Sequence, residues 1–394
     1  MRLQDRELSC SGAEDAPRCD LDKRVRRGGR VGRLGVVLGL VMGLTTSALL
    51  VAMGCATGAN NAGVGGGPDG LGGGGGAGPT SGPGGGGVGG ILFDGGFEET
   101  TPPPPPPLYA HDRTSLFRGD PGIDPLTLTY VGLFDCVGGA GQDGSMTDLA
   151  VSAEGEIWGI SVNHVYRLDV QGSQVRCVQT IPLNNPGNIQ FYGLAFAPKG
   201  VIDPNREVLV AGNTAGELWS VDSTGSLARR GTFGVVPPND GRGHTYASNH
   251  VGKRWELSGD IAFAENNGNP LGFVTVRDCP NPPSTTGCNT VDTLLEIDMQ
   301  ALATATTGSV IKSTRGQIVK RAGCNDSISG DYGNMYGIGI FADRVYGLSR
   351  YPQDQGGNLV DISNTDGSAC LIQSFQLAWY GAGISTIVPV QAPQ

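Results

Sequence analysis

The chain has 394 residues, 37 acidic against 27 basic side chains for a net charge of −10, and 67 glycines. Length alone would suit two or three domains, but much of the glycine sits in one block between Gly58 and Gly96 that cannot bury a core. Beyond residue 54 the acidic balance carries no basic cluster, which argues against nucleic acid as a partner and against electrostatic docking on anionic lipid.

Residues 1–54 read as targeting sequence. Lys23, Arg24, Arg26, Arg27, Arg30 and Arg33 form a basic region, and an uncharged run from Leu34 to Gly54 follows, ending at Cys55. The basic region is long and holds Cys10, Cys19 and several acids, which a start assigned too far upstream explains. Val51-Ala52-Met53-Gly54-Cys55 resembles a bacterial lipobox. That resemblance implies cleavage before Cys55 and acylation of its thiol and new amino terminus. Several acyl chains anchor a protein stably, because each buried CH₂ contributes roughly 0.8 kcal/mol. An uncleaved transmembrane helix is the alternative, since Leu34–Met53 is long enough to span.

Removing residues 1–54 takes away 9 basic and 6 acidic residues, leaving 31 acids against 18 bases, a net of −13. Six cysteines follow Cys55, an even number that suits an oxidising compartment. Ala56 stands where an Asp would commonly retain a lipoprotein at the inner membrane, so the outer membrane is expected. Residues 55–107 form a tether, Gly-rich and then stiffened by Pro102–Pro107. A flexible coil of the Gly-rich length reaches on the order of 40 Å.

From Leu108 to about Val390 short strands follow one another. The clearest module is Met146–Ile181, which reads as the strands DLAV, EIWGIS, HVYRLD and QVRCVQTI with turn residues between them. A small motif recurs at the start of each innermost strand: Thr147-Asp148-Leu149-Ala150, Tyr192-Gly193-Leu194-Ala195, Gly259-Asp260-Ile261-Ala262, Tyr336-Gly337-Ile338-Gly339 and Tyr380-Gly381-Ala382-Gly383. The successive spacings are 45, 67, 77 and 44 residues, and the two short ones match a four-stranded propeller blade of ~40–45 residues. Third strands end on Asp120, Asp169, Asp222, Asp298 and, degenerately, Ser363, where an acid can accept N–H bonds in the following turn.

The expected fold is therefore all-β, a five-bladed β-propeller of four-stranded blades. LYAHD, SLFRGD and LTLTYVGLF at the entry lack an innermost partner, and the C-terminal WYGAGISTIVPV supplies it, closing the ring. An open β-sandwich of the same strand count is the competing architecture.

Lipobox, Gly-rich tether, the LYA…LFR entry and the repeated Tyr-Gly-Leu-Ala-type strands together resemble predicted propeller lipoproteins of myxobacteria and similar Gram-negative bacteria. The resemblance covers most of Leu108–Val390. It implies fold and export, and carries no activity.

Chemistry is expected on one face. The insertions Val235–Glu256, Asp278–Asp292 and Ala322–Asn334 all lead into a first strand or join a second to a third, so they should share one rim with the channel mouth. There the motif offers Asp148 and Asp260 with Tyr192, Tyr336 and Tyr380. Carboxylates within aromatic walls suit a cation or a sugar, and the same residues equally suit tight packing around a narrow axis.

His111, His164, His244 and His250 lack zinc spacing, no calcium loop or nucleophile elbow is present, and no cofactor is identified, a divalent cation being unsupported by any motif. Cys279 and Cys288 flank a short Pro-rich loop and are expected to pair, while Cys136, Cys177, Cys324 and Cys370 leave three pairings open. The functional expectation is a membrane-anchored envelope lipoprotein displaying a binding or scaffolding module for a glycan or protein. The alternative is a hydrolase or lactonase-like enzyme with a metal at the channel mouth.

Overall fold

The computed structural model describes residues 104–387, apart from 185–188, 284–285, 305–306, 326–331 and 352–353. The expectations placed on residues 1–54, on Cys55 and on the Gly-rich tether lie outside the described residues.

Among the described residues, twenty strands and one short helix follow in order. They are β1 (Leu108–His111), β2 (Ser115–Gly119), β3 (Thr129–Phe134), β4 (Asp148–Val151), β5 (Ile157–Ile160), β6 (His164–Gln171) and β7 (Gln174–Pro182). Next come β8 (Phe191–Ala197), β9 (Val208–Asn213), β10 (Glu217–Val221) and β11 (Leu227–Thr232). Then follow β12 (Glu256–Asn266), β13 (Asn269–Arg277), β14 (Thr293–Ile297), α1 (Met299–Ala303) and β15 (Ile311–Gln317). The last are β16 (Met335–Phe341), β17 (Arg344–Arg350), β18 (Gly357–Ser363), β19 (Ala369–Phe375) and β20 (Gly381–Gly383).

These strands form a β-propeller. Three sheets are simple meanders of four strands, β8–β11, β12–β15 and β16–β19. An eight-stranded sheet runs β20-β1-β2-β3-β7-β6-β5-β4. Its two halves are antiparallel meanders of four strands. They meet only through a short parallel contact, Leu133 with Gln174 and Phe134 with Val175. The sequence offered no sign of this join, because nothing in β3 or β7 distinguishes an edge that pairs from one that faces water.

The first strand of each four-stranded run lies against the next: β4 against β8, β8 against β12, β12 against β16, β16 against β20, and β20 against β4. Such strands are covered on both faces, so β4 and β12 are buried at nearly every position instead of at alternate ones. Outer strands such as β7 alternate, with Val175 and Ile181 buried and Gln174, Arg176 and Gln179 exposed. Between neighbouring sheets the apolar faces interlock. Leu194, Leu209 and Ala211 pack on Ile160 and Val165, and Trp255, Val274 and Leu295 pack on Val210 and Leu218.

Chain ends meet within one sheet. β20 pairs antiparallel with β1 through Tyr109–Gly383, Ala110–Ala382 and His111–Gly381. Trp379, fully buried, packs edge-on against Phe117 and Phe375 at 5.2 and 4.9 Å. The terminal acids of the third strands work in three cases as expected. Asp120 accepts from the Gly122 amide, Asp222 from those of Thr224 and Ser226, and Asp298 caps α1. Asp169 differs: β6 runs on to Gln171, so its carboxylate takes the Gln171 side chain instead.

All three disulfides are formed among the six cysteines after Cys55, and Cys279–Cys288 is one of them. Cys136–Cys177 joins the flank of β3 to β7, and Cys324–Cys370 joins the loop before β16 to β19. The first spans the two four-stranded halves of the eight-stranded sheet and the second ties the β15–β16 connection to the outer strand β19, which no spacing rule could have indicated.

Candidate functional site

The recurrent motif builds two layers at the channel mouth. The upper layer is aromatic. In β8 the pairing slips between Phe191 and Gly193, and in β16 between Met335 and Gly337, so Tyr192 and Tyr336 are each the extra residue of a β-bulge. Bulges re-aim side chains at sheet rims. Here they turn both rings away from the sheet. Tyr380 lies just before β20, and its ring centroid is 6.2 Å from that of Tyr336, the planes tilted by 40°.

Two arginines fill this layer, and sequence reasoning missed both. Arg350, at the end of β17, places its guanidinium carbon 3.7 Å from the Tyr336 centroid and 4.4 Å from that of Tyr380. Arg113, at the β1–β2 hairpin tip, lies 5.0 Å over Tyr380 and donates to its hydroxyl. Asp354, held in the left-handed backbone region at φ 58°, binds both cations at 2.7 and 3.4 Å and accepts from the Tyr380 hydroxyl at 2.9 Å. Tyr192 completes the set. Burial and then the Tyr336 phenol push its pKa up, and Arg350 opposes that rise. A hairpin tip and a strand end give no periodic signal, so only the fold reveals that Arg113 and Arg350 converge.

The lower layer is carboxylic, and it is closed. Asp148 and Asp260 are fully buried. Asp148 accepts the Leu194 amide of the next sheet. Asp260 accepts the Ile261 amide and, across to the following sheet, the Ile338 amide, both at 2.6 Å. The two carboxyls neighbour each other at the axis, and the charge of Asp260 adds to burial in disfavouring the ionised form of Asp148. Burial pushes both pKa values well up. The structure thus places these acids beneath the tyrosines instead of among them, stapling neighbouring strands at the axis.

The remaining polar atoms of this floor are Asp148 Oδ1 and His111 Nε2, neither of which has a hydrogen-bond partner among the described residues. Both face Gly381, where a Cβ would overlap them. Burial lowers the His111 pKa to about 4, so the imidazole is neutral. Three of the four carboxylate oxygens are already occupied by amides, and a divalent cation between Asp148 and Asp260 would have to displace them.

The insertions around the mouth are packed to one another. His250, buried, binds Asp278 at 2.7 Å, linking the loop before β12 to the loop after β13. The same insertion buries Tyr246 and Trp255, which pack edge-to-face at 5.2 Å. His244 binds Asp240 at 2.7 Å. Among the described residues, metal-type ligands gather within reach of one another at Asp135/Cys136/Cys177 and Glu256/Cys279/Cys288, and in each group both sulfurs are committed to a disulfide.

A cavity of about 430 Å³ lies elsewhere, between β4–β7 and β8–β11, with Trp158, Phe196, Arg206, Glu207 and Arg230 in its walls. Its carboxylates are spent internally: Glu207 accepts from the Ala153 amide at 2.8 Å and from the Thr386 hydroxyl, Asp203 binds Arg206 at 3.1 Å, and Asp222 accepts the Thr224 and Ser226 amides. The mouth is the stronger candidate because hydroxyls and cations from several sheets converge there.

No family model and no curated protein matches this chain. It is similar to solved structures at low identity. A protein of unknown function from Bacteroides caccae shares 10% identity with a TM-score of 0.34, over 71% of this chain and 98% of that one. The Dos1 propeller shares 9% with a TM-score of 0.29, over 66% of this chain and 55% of that one. A protein of unknown function from Bacteroides thetaiotaomicron shares 12% with a TM-score of 0.33, over 67% and 55%.

Proposed function

We propose that the chain is a five-bladed β-propeller, closed by its C-terminal strand and displayed on a lipidated tether at the outer membrane, that binds acidic glycans at its channel mouth. Supporting the ring are the cyclic contacts of β4, β8, β12, β16 and β20 and the β1–β20 pairing. Supporting the anchor are the lipobox at Cys55 and the Gly-rich run after it.

One observation carries the ligand class: Arg350 is wedged between Tyr336 and Tyr380. An aromatic pair that already holds a guanidinium has its cation site filled from within. What that arrangement offers a ligand is the edge of a planar donor fork, suited to carboxylates, beside phenol faces and hydroxyls suited to sugar rings. Arg113, with a side chain 60% exposed, adds a second cation. A sugar carboxylate on a polymer of the cell envelope would take the guanidinium N–H groups that Asp354 leaves open on Arg113 and Arg350.

The test is a glycan array probed with the full chain, carrying uronate-bearing and neutral oligosaccharides of equal length. Retention on the uronate spots alone supports the proposal, and equal or absent retention on both sets rejects it. The enzyme alternative with a metal between Asp148 and Asp260 finds no support in this geometry, since three of the pair's four carboxyl oxygens accept backbone amides.

A further inference from the structure

Glu256 opens β12 at the inner end of the largest insertion and is fully buried, yet neither carboxyl oxygen has a hydrogen-bond partner among the described residues. Burying such a group without a partner is costly. A carboxyl oxygen lies within 4.8 Å of both sulfurs of Cys279–Cys288. Burial raises the Glu256 pKa, with Arg277, its cross-strand partner on β13, pulling the other way. The other charged groups nearby belong to the β13–β14 loop and its neighbour: Asp278, bonded to His250, and Asp292.

The sulfurs differ. Cys279 is fully buried and Cys288 is half-buried, so an incoming thiolate can reach the second and expel the first. The comparison with Cys136–Cys177 is informative, because Asp135 also lies within 4.8 Å of that pair but is exposed and accepts the Cys177 amide. Only one of these two disulfides has a buried, unengaged acid beside it.

The geometry points to Cys279–Cys288 as a thiol–disulfide exchange site that accepts electrons from a dithiol, with Glu256 as the proton donor to Cys279. A thiolate of the dithiol attacks Cys288 Sγ. A mixed disulfide forms, the Cys279–Cys288 bond breaks, and its electron pair leaves on Cys279 Sγ, which takes the proton of the Glu256 carboxylic acid. The second thiol of the reductant loses its proton, which restores the Glu256 acid, and attacks the mixed disulfide. Cys288 leaves as a thiolate and is protonated by solvent, and the reductant departs as its disulfide. Two electrons and two protons have then passed to the cysteine pair. Exchange rates depend on how well the leaving sulfur is stabilised, and a positioned acid contributes typically 10²–10⁴-fold.

The full chain is treated with dithiothreitol across a pH series, quenched with a maleimide, and mapped by mass spectrometry while tryptophan fluorescence reports folding. Cys279 and Cys288 are expected to label at least tenfold faster than the other four cysteines, in protein whose fluorescence is still native. Glu256→Gln is expected to slow that labelling at least tenfold at pH 6. In the wild type, the rate per dithiothreitol thiolate should fall as pH rises through the carboxyl's raised pKa, a profile that needs no variant to fold. Labelling of all three pairs at one rate, a pH-independent rate per thiolate, or wild-type speed in Glu256→Gln would each overturn the proposal.

Discussion

Asp260 accepts the Ile338 amide at 2.6 Å, so a carboxyl on one sheet's innermost strand satisfies a donor on the next. With the matching bond from Asp148 to Leu194, it makes the axis a hydrogen-bonded hub as well as an apolar one. Asp260→Asn keeps the volume but turns an amide N–H₂ toward one of two backbone donors. Leaving a buried donor unmet costs about 1–3 kcal/mol, and urea unfolding should show a loss in that range.

The same pair sets a pH dependence. Burial raises the Asp260 carboxyl to about 8 in the folded protein, against an unfolded value near 3.9. Between those values the folded state holds the extra proton, so this group's contribution is full at acid pH and is lost as pH rises toward 8. His111 acts oppositely, since its pKa of about 4 withdraws stability as pH falls below its unfolded value. Thermal unfolding of the wild type should therefore show declining stability from pH 6.5 to 8, and Asp260→Asn should flatten that slope.

Gly381 marks where the C-terminal strand closes on the hub. A methyl group there would overlap Asp148 Oδ1 and His111 Nε2 and crowd the Asp148 backbone at 2.9 Å. Gly381→Ala is expected to destabilise by about 1–3 kcal/mol, as overpacking does. Hydrogen exchange should locate the loss in β1 and β20. Protection lost elsewhere and kept there would contradict the closure.

Much of this architecture was legible in the sequence and much of the site was not. Alternation in HVYRLD and QVRCVQTI, the spacing of the Tyr-Gly and Gly-Asp motifs, and the orphan strand at the C-terminus all report local geometry or strand number. The short loop between Cys279 and Cys288 also constrains its own pairing. Depth is different: Tyr192 and Asp260 occupy neighbouring positions of one motif, yet a bulge sends one to the rim and strand burial sends the other to the axis. Arg113 and Arg350 are 237 positions apart and meet only because two hairpin ends share a face. The pairing of Cys136 with Cys177 likewise depends on which blades are neighbours.

That disulfide clamps the blade holding both chain ends to the next one, across a loop of 41 residues. Closing a loop of that size is worth about 4 kcal/mol in the chain-entropy account. Replacing both cysteines by serine should lower the urea midpoint accordingly and expose the β3–β7 contact to hydrogen exchange, while the glycan-array pattern is retained.

The proposed anchor has its own check. Cys55→Ser in the native host should abolish incorporation of labelled fatty acid and leave an unprocessed precursor; normal labelling in that variant would remove the lipoprotein reading.

Binding at the aromatic mouth is tested most directly by calorimetric titration of the full chain with a uronic acid oligosaccharide, for the wild type and for Arg350→Ala. Removing the wedged guanidinium is predicted to weaken binding at least tenfold while unfolding stays within about 1 kcal/mol of wild type, as for a rim side chain. Undiminished affinity in Arg350→Ala, or no heat of binding in the wild type, would contradict the account.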